Sequence, residues 1–190
     1  MIRNKILRYL RKIYILIIDI AVKRGSECYN MTELGELSSF LEFLRNDMGF
    51  EFDVTRFGHR FRLQKFVFFA KSFGWDNDYH YSVYVRGPYS SELADQYYHM
   101  TRTSEQIPST PLSSFNREQF AAFLRDKDDQ WLEAAATVLS MVQIYKVYYT
   151  GVSLKTNVLE RVIDLKDNID PQVIANSYND LASIGIISVN

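Results

Sequence analysis

The chain has 190 residues, and its 22 lysines and arginines nearly balance its 23 aspartates and glutamates, for a formal net charge of −1. This balance removes the simplest argument for a nucleic-acid-binding domain, which is a strongly basic composition. The single cysteine excludes an internal disulfide framework and a four-thiolate zinc site. The unusual feature is the aromatic content, because 13 tyrosines, 13 phenylalanines and 2 tryptophans make up 15% of the chain.

Residues 1–53 predict an N-terminal helical hairpin. Apolar residues recur at helical spacing over residues 2–22, and a second such stretch runs from Thr32 to Gly49. The apolar run of the first stretch is about half the roughly 20 residues that a bilayer crossing needs, so we expect a cytoplasmic protein with no membrane span. Its long apolar stripe predicts homodimerisation through this first helix.

Charge is segregated within the N-terminal hairpin. Residues 1–24 carry seven positive side chains and one negative, which is a net +6. Residues 27–53 carry seven negative side chains and one positive, which is a net −6. Overall neutrality is therefore a cancellation between adjacent segments, which either neutralise each other or offer opposite charges to different partners.

Residues 54–128 predict a central helix–strand–helix unit. The alternation of apolar and polar residues over 50–55 fits a short strand or an extended linker, and a helix follows over 60–73. Residues 79–86 show the most regular alternation in the chain and predict a strand, which the Gly87-Pro88 pair ends. Capping residues then mark two further helices, one starting at Ser90 or Ser91 and one at Asn116.

Residues 129–190 predict a winged-helix-like C-terminal part, and residues 54–190 together predict one compact domain. A long helix over 130–149 ends at Gly151, two shorter helices follow, and Asp170-Pro171 starts the second of them. Residues 186–189 predict a terminal strand, and three helices followed by a strand is the order of a winged-helix unit. The fold class is therefore α+β, predominantly helical, with a small β element.

No residue pattern predicts catalytic residues, a metal site or a cofactor. The three histidines lie about twenty residues apart, without a metal-binding pair, and no glycine-rich phosphate loop or nucleophile elbow is present. Glu160, Asp164 and Lys166 resemble the acidic set of a nuclease. They lie on an amphipathic helix, where such charges usually mark the solvated face.

The segment that joins the predicted strand to the next helix is a candidate anion- or partner-binding site. A helix start exposes free N–H groups, and Arg86 lies beside them. The alternative is a purely structural turn that needs its glycine and proline. The candidate residues are Arg86, Gly87, Pro88, Tyr89, Ser90 and Ser91.

A DNA-binding surface is the second candidate site. In a helix-turn-helix reading, residues 171–184 form the recognition helix, but they contain no lysine or arginine. Positive charge for phosphate contacts must then come from basic residues elsewhere in the chain. The alternative is that those basic residues are solvated or pair with nearby acidic residues. The candidate cations are Arg8, Arg11, Lys12, Arg56, Arg60, Arg62 and Lys65.

Two motifs resemble the uncharacterised prokaryotic YwgA-like proteins. Residues 62–70 read RLQKFVFFA, similar to the family pattern LQKLVYL, and residues 87–94 read GPYSSELA, similar to GPYSxEL. The resemblance covers about residues 60–190 and implies no catalytic residues, because that family has no established activity. A more distant resemblance, to the Panacea domain of SocA-like antitoxins, implies binding of a toxin or another protein partner.

These observations favour a non-enzymatic binding or regulatory module that acts through protein partners and is antitoxin-like. Aromatic residues support this expectation, because tyrosine-rich surfaces favour recognition. One alternative is a DNA-binding transcriptional regulator with a winged-helix-like unit. A further alternative is a metal-dependent nuclease.

Overall fold

The computed structural model describes residues 31–103 and 107–188. The first predicted helix lies outside these residues, together with Arg8, Arg11 and Lys12. The helical hairpin of residues 1–53 and homodimerisation through its first helix therefore stay predictions.

Seven α-helices and one small antiparallel sheet make up the regular structure of the described residues, so the α+β, predominantly helical class is confirmed. No helix there is long and apolar enough to cross a bilayer. The elements are α1 Met31–Met48, α2 Phe57–Ala70, a 3₁₀ turn Lys71–Phe73, β1 Ser82–Tyr84, β2 Gly87–Tyr89, α3 Ser91–Arg102, α4 Arg117–Leu124, α5 Asp129–Tyr145, α6 Gly151–Leu165 and α7 Pro171–Ser183.

Helix α2 is the central element, because it is buried on nearly all sides. It packs against α5 and against β2, and its buried residues include the polar Gln64 and Lys65 as well as the apolar face. From Leu63 to Ala70 every residue of the helix is buried, so this half lies in the interior of the domain. The two buried polar side chains must therefore find partners inside the protein.

Within the described residues, 14 of the chain's 28 aromatic side chains are buried in the core, and seven more pack against it. The ring of Phe40 in α1 lies 4.7 Å from the ring of Trp75, 5.6 Å from that of Phe115 and 5.7 Å from that of Phe120. Edge-on and tilted ring pairs at these distances contribute beyond the area they bury. Helix α1 thus shares one core with elements that follow residue 53.

Local capping signals place three helix starts where the sequence predicts them. Ser90 Oγ accepts from Leu93 N at 3.3 Å, and Asn116 Oδ1 accepts from Gln119 N at 3.0 Å. Asp170 Oδ1 accepts from Gln172 N at 2.7 Å, with Pro171 at the first helical position. These side chains satisfy amide groups that no helical carbonyl can reach.

The predicted strand 79–86 is shortened to Ser82–Tyr84, and Gly87-Pro88 does not terminate it but begins its partner strand. Tyr84 pairs with Gly87, so Val85 and Arg86 form a two-residue hairpin turn. Gly87 makes the reversal feasible with φ +82°. Pro88 is tolerated because a two-stranded sheet leaves one edge of each strand unpaired.

The C-terminal part differs from the prediction at two places. Helix α5 ends at Tyr145, and Gly151 starts α6 rather than ending α5, because Lys146 and the residues around it are exposed and gain nothing from a further helical turn. Residues 186–188 form no strand, since Ile186 N bonds back to Leu181 O at 3.0 Å, and Val189 lies outside the described residues. The winged-helix assignment stays a prediction.

Candidate binding surface at the hairpin

The predicted site segment lies in β2 and at the start of α3, and the core fastens its backbone at Ser90. Gln64 Nε2 donates to Ser90 O at 2.8 Å, while Ser90 N donates to Gln64 Oε1 at 2.9 Å. Both residues are buried. One amide side chain thus satisfies both backbone groups of Ser90 and holds β2 against α2.

This arrangement disfavours an anion at the start of α3. Ser90 has no exposed surface and already caps Leu93 N. Glu92 lies in the first turn of the helix, where its carboxylate would repel an anion. Partner binding and a purely structural turn both stay open as readings of the segment.

Two buried lysines hold the hairpin backbone from below. Lys65 is 2% exposed, and its Nζ donates to Pro88 O at 2.6 Å. Lys166 is 1% exposed, and its Nζ donates to Val85 O and, at 2.9 Å, to Glu133 Oε1. The ammonium groups thereby anchor two carbonyls, one on each side of Gly87.

The buried cluster under the hairpin carries more positive than negative groups. Glu133 is its carboxylate, and besides Lys166 it faces Arg86, whose guanidinium lies 4.0 Å away. The pKa of Lys65 is lowered to about 7, mainly by burial and also by the charge of Lys166, while Glu133 opposes the shift. Lys65 therefore titrates near neutral pH.

Gly87 allows the hairpin to approach α5 closely. A Cβ atom at this position would lie 3.0 Å from Thr137 Oγ1 and 3.5 Å from Glu133 O. Together with the positive φ, this close approach favours glycine at the first position of β2.

The outer face of the hairpin exposes apolar side chains around a guanidinium. Val85 is 88% exposed, and Tyr84 and Phe57 are each more than half exposed. The Arg86 guanidinium lies 5.6 Å from the centre of the Phe57 ring, which is cation–π distance. We call Phe57, Tyr84, Val85 and Arg86 the hairpin patch.

Of the basic residues predicted to contact nucleic acid, Arg56, Arg60, Arg62 and Lys65 lie in the described part of the chain. Lys65 is buried, so its prediction as a phosphate contact is wrong for this conformation. Arg62 Nε pairs with Asp129 Oδ1 at 2.6 Å, and Arg60 donates to Val54 O at 2.6 Å. Arg56 is exposed.

The polar residues of α7 are engaged within the protein. Gln172 Nε2 donates to Asn176 Oδ1 at 2.8 Å, and Asn179 Oδ1 accepts from Lys155 Nζ at 2.9 Å. Asp180 accepts from Lys127 Nζ at 2.8 Å and from the Trp131 ring at 2.9 Å, which fastens α7 to α5. Lys155 thus places one cation beside α7, whereas the charge of Lys127 meets the Asp180 carboxylate.

Within residues 31–103 and 107–188, no group of three or more His, Cys, Asp or Glu side chains is arranged to hold a metal ion. His59 Nδ1 accepts from Asp53 N at 3.1 Å, and His80 Nδ1 lies 3.2 Å from Glu92. Both rings are used in local contacts.

Sequence reasoning missed Gln64, Glu133 and Lys166. Lys166 was expected on a solvated helix face, and it is instead almost fully buried. The available signal was weak: Glu133 begins an otherwise apolar stretch of α5, and Gln64 stands among aromatic residues of α2.

Comparison with protein-family models, with curated proteins and with solved structures finds no match for this chain. The resemblance to the YwgA-like proteins and to the Panacea domain therefore stays a prediction.

Proposed function

We propose that the protein is a non-enzymatic binding module that acts through a protein partner and uses the hairpin patch as its docking surface. The observation that carries the proposal is the exposed apolar turn whose backbone is fastened by buried Lys65, Lys166 and Gln64. An antitoxin-like role, in which the partner is a toxin, is the form of this proposal that the sequence resemblance implies.

The support beneath the hairpin favours recognition because it fixes the patch before a partner arrives. An isolated two-stranded hairpin is marginal in water, and burying charged groups is costly. Here the buried groups hold Val85 O and Pro88 O in place. A docking surface that is already ordered loses less conformational entropy on binding.

The composition of the patch also favours a protein partner. Tyrosine and arginine are enriched among the residues that dominate binding energy at interfaces. Tyr84 packs edge-on against Tyr89 at 5.5 Å, and Arg86 lies over Phe57. Because Arg86 shares Glu133 with Lys166, the patch keeps excess positive charge. We therefore expect a partner with an apolar side chain flanked by carboxylates.

A photo-crosslinking residue at Val85 of the full chain, expressed in its host cells, tests the proposal. The matched control carries the same residue at Val147, which is 74% exposed in the segment between α5 and α6. We expect a discrete protein crosslinked from position 85 and not from position 147.

The affinity of the purified partner for variants of the hairpin patch then tests the proposal. We expect Val85→Asp and Arg86→Glu each to weaken its binding about tenfold or more, the scale of a hot-spot side chain. Equal affinity for wild type and both variants would refute the hairpin patch as the docking surface.

The DNA-binding alternative stays a prediction and rests on fewer cations, because Lys65 is buried. A gel shift that falls with salt and is lost on reversal of Arg56 and Arg60 would support it. The metal-dependent nuclease stays a prediction that divalent-ion binding tests.

A further inference from the structure

Helix α2 covers one edge of the two-stranded sheet and leaves the other edge open. On the β2 side, Gln64 bonds both backbone groups of Ser90, and Lys65 bonds Pro88 O. These side chains take the place of a third strand. On the other side, all three residues of β1 are exposed. A further strand in this sheet therefore has to pair with β1.

The pairing of the two strands fixes which backbone groups of β1 face the open edge. Val83 lies opposite Pro88. Because proline has no N–H, this pair exchanges no hydrogen bonds, and the bonds between the strands run through the pairs on either side of it. The N–H and the carbonyl of Val83 therefore point away from β2. Backbone groups alternate along a strand, so those of Tyr81, two residues earlier, face the same edge.

These outward groups have no partner within residues 31–103 and 107–188. No backbone or side-chain atom there bonds the N–H or the carbonyl of Tyr81 or of Val83. Natural sheets protect an exposed edge with lysine, proline or a bulge, but residues 81–84 read YSVY. Alternate residues of β1 thus offer the pattern of donors and acceptors that an added strand needs.

The turn end of β1 carries excess positive charge. Arg86 in the turn lies 4.0 Å from Glu133. Lys166 bonds the same carboxylate at 2.9 Å, and Lys65 belongs to the same buried cluster. One carboxylate thus serves several cations, and Arg86 is the exposed one among them.

The opposite end of β1 carries excess negative charge. Asp78 and Glu92 are both exposed, and Glu92 lies 3.2 Å from the ring nitrogen of His80. Lys71 and Asp76 nearby lie 3.9 Å apart and offset each other. The edge therefore runs from an acidic end to a cationic end.

We propose that this edge pairs with the same edge of a second copy of the chain, with the two β1 strands antiparallel about a two-fold axis at Ser82. Tyr81 of each copy then lies opposite Val83 of the other, and each pair exchanges both N–H···O bonds. The same register sets Arg86 of one copy opposite Asp78 of the other, so the cationic and acidic ends meet. Parallel strands would bring like charges together. The edge is thus complementary to itself.

The dimer does not depend on the proposed function, but it has one consequence for it. Tyr84 and Arg86 belong to the hairpin patch and lie beside the paired edge, so a second copy covers part of the patch. We therefore expect dimerisation and partner binding to oppose each other, and this consequence alone rests on the proposed function.

Disulfide crosslinking of the full chain tests the register. In an antiparallel pair, opposite residues that exchange no hydrogen bonds have Cα atoms about 4.5 Å apart, which suits a disulfide. In a Cys28→Ser background, which removes the one native cysteine, we expect Ser82→Cys to form a linked dimer under mild oxidation. Ser113→Cys, at an exposed serine before α4, is the control and should stay monomeric. Crosslinking at position 82 no faster than at position 113 would overturn the proposal.

Analytical ultracentrifugation over a series of chain concentrations measures the association without a new cysteine. The paired edge is short, so we expect a weak dimer with a dissociation constant in the micromolar range or above. Val83→Pro removes the outward N–H and spares the bonds to β2, whereas Val83→Ala keeps it. We expect a dissociation constant about tenfold higher for the proline variant, because each copy loses one bond. Equal constants for the two variants, or a wild type that stays monomeric throughout, would overturn the proposal.

A charge exchange tests the contact between the two ends. Arg86→Asp and Asp78→Arg should each weaken the dimer about tenfold, and the two changes together should restore it. A combined variant as weak as the single ones would refute the antiparallel register. Hydrogen exchange of wild type needs no variant: the amides of Tyr81 and Val83 should slow as concentration rises, and that of Val147 should not.

The dimer and the hairpin patch fail separately. In crosslinking from Val85, a second copy is recognised because the product has twice the mass of the chain. A dimer that Val83→Pro weakens, with no other protein crosslinked from Val85, would sustain the dimer and refute the patch. A partner crosslinked from Val85, with the chain monomeric at every concentration, would sustain the patch and refute the dimer.

Discussion

Two regions of this protein expose apolar side chains to a similar degree but differ in what lies beneath them. At the hairpin, Val85 is 88% exposed, and in the segment between α5 and α6, Tyr148 is 77% exposed. The hairpin is fastened by buried side chains from α2 and from the residue after α6, far away in the sequence. The α5–α6 segment is ordered by short-range bonds, such as Tyr148 N to Tyr145 O at 2.9 Å.

The comparison shows that exposure alone does not identify a docking surface. Scattered exposed apolar residues are normal on soluble proteins. Buried charges are unusual, and they are retained only where their partners are fixed. The hairpin patch differs from the other region because buried charged side chains, which are costly to desolvate, bond its backbone.

Replacing Lys166 should give the largest difference between the two regions in the free energy of unfolding that is lost. Replacing Lys166 by Met leaves Glu133 buried without its close cation, so we expect a loss of about 3–5 kcal/mol in the free energy of unfolding. Lys146→Met, at an exposed lysine of the α5–α6 segment, should change it by less than about 0.5 kcal/mol. Urea unfolding measures both.

A double variant shows whether the loss of stability comes from the unpaired charge of Glu133 or from lost packing. Lys166→Met combined with Glu133→Leu removes both charges, and much of the stability should return. A double variant as unstable as Lys166→Met alone would contradict the role of the ion pair.

Glycines in the two regions should respond differently to alanine. Gly87→Ala adds a close contact with Thr137 to an unfavourable positive φ, and we expect a loss of about 2–3 kcal/mol. Gly151→Ala, with φ +52° and open space around the new methyl group, should lose about 1 kcal/mol. Equal shifts in melting temperature would argue against close packing of the hairpin on α5.

The pH dependence of stability should differ as well. Lys65 has a pKa of about 7 when folded against an ordinary value of 10.5, so the unfolded chain binds more protons between these values. The penalty from Lys65 is fully present below pH 7 and is relieved as pH rises toward 10.5. Within this window the group adds up to about 1.4 kcal/mol of stability per pH unit.

Urea unfolding between pH 6.5 and 9.5 gives the free energy of unfolding of wild type and of Lys65→Met at each pH. The difference between the two curves isolates the contribution of Lys65 to the slope. Lys146→Met serves as the control and should leave the slope unchanged. A difference profile that is flat across the window would contradict a depressed pKa at Lys65.

The smallest effect should come from the partly exposed pair Arg62–Asp129. Their side chains are 30% and 52% exposed, so solvent screens the 2.6 Å contact. We expect Arg62→Ala to cost about 0–1 kcal/mol in the free energy of unfolding. A loss as large as that of Lys166→Met would contradict the expectation that the exposed pair Arg62–Asp129 contributes less stability than the buried pair Lys166–Glu133.

The sequence predicted what local chemistry determines. Ser90, Asn116 and Asp170 start helices because each side chain bonds an amide two or three residues ahead. The end of α5 was predicted four residues too late, because periodicity alone does not reveal which turns pack against a neighbour.

The support of the candidate site could not be predicted, because its contacts are long-range. Lys166 meets Glu133 across 33 residues and Val85 across 81. On an amphipathic helix a buried lysine and a solvated one have the same local pattern. The sequence predicts that the Gly87-Pro88 pair ends a strand. Only the pairing of Tyr84 with Gly87 in the structure shows that the pair begins the second strand of a hairpin.

The most direct test of the central claim is the affinity of the crosslinked partner for Val85→Asp and for Val147→Asp, measured by titration calorimetry on the full chain. Both variants place a charge on a largely exposed valine. We predict a loss of about tenfold or more at position 85 and less than twofold at position 147. Equal losses at the two positions, or no loss at position 85, would contradict a docking surface built on the hairpin.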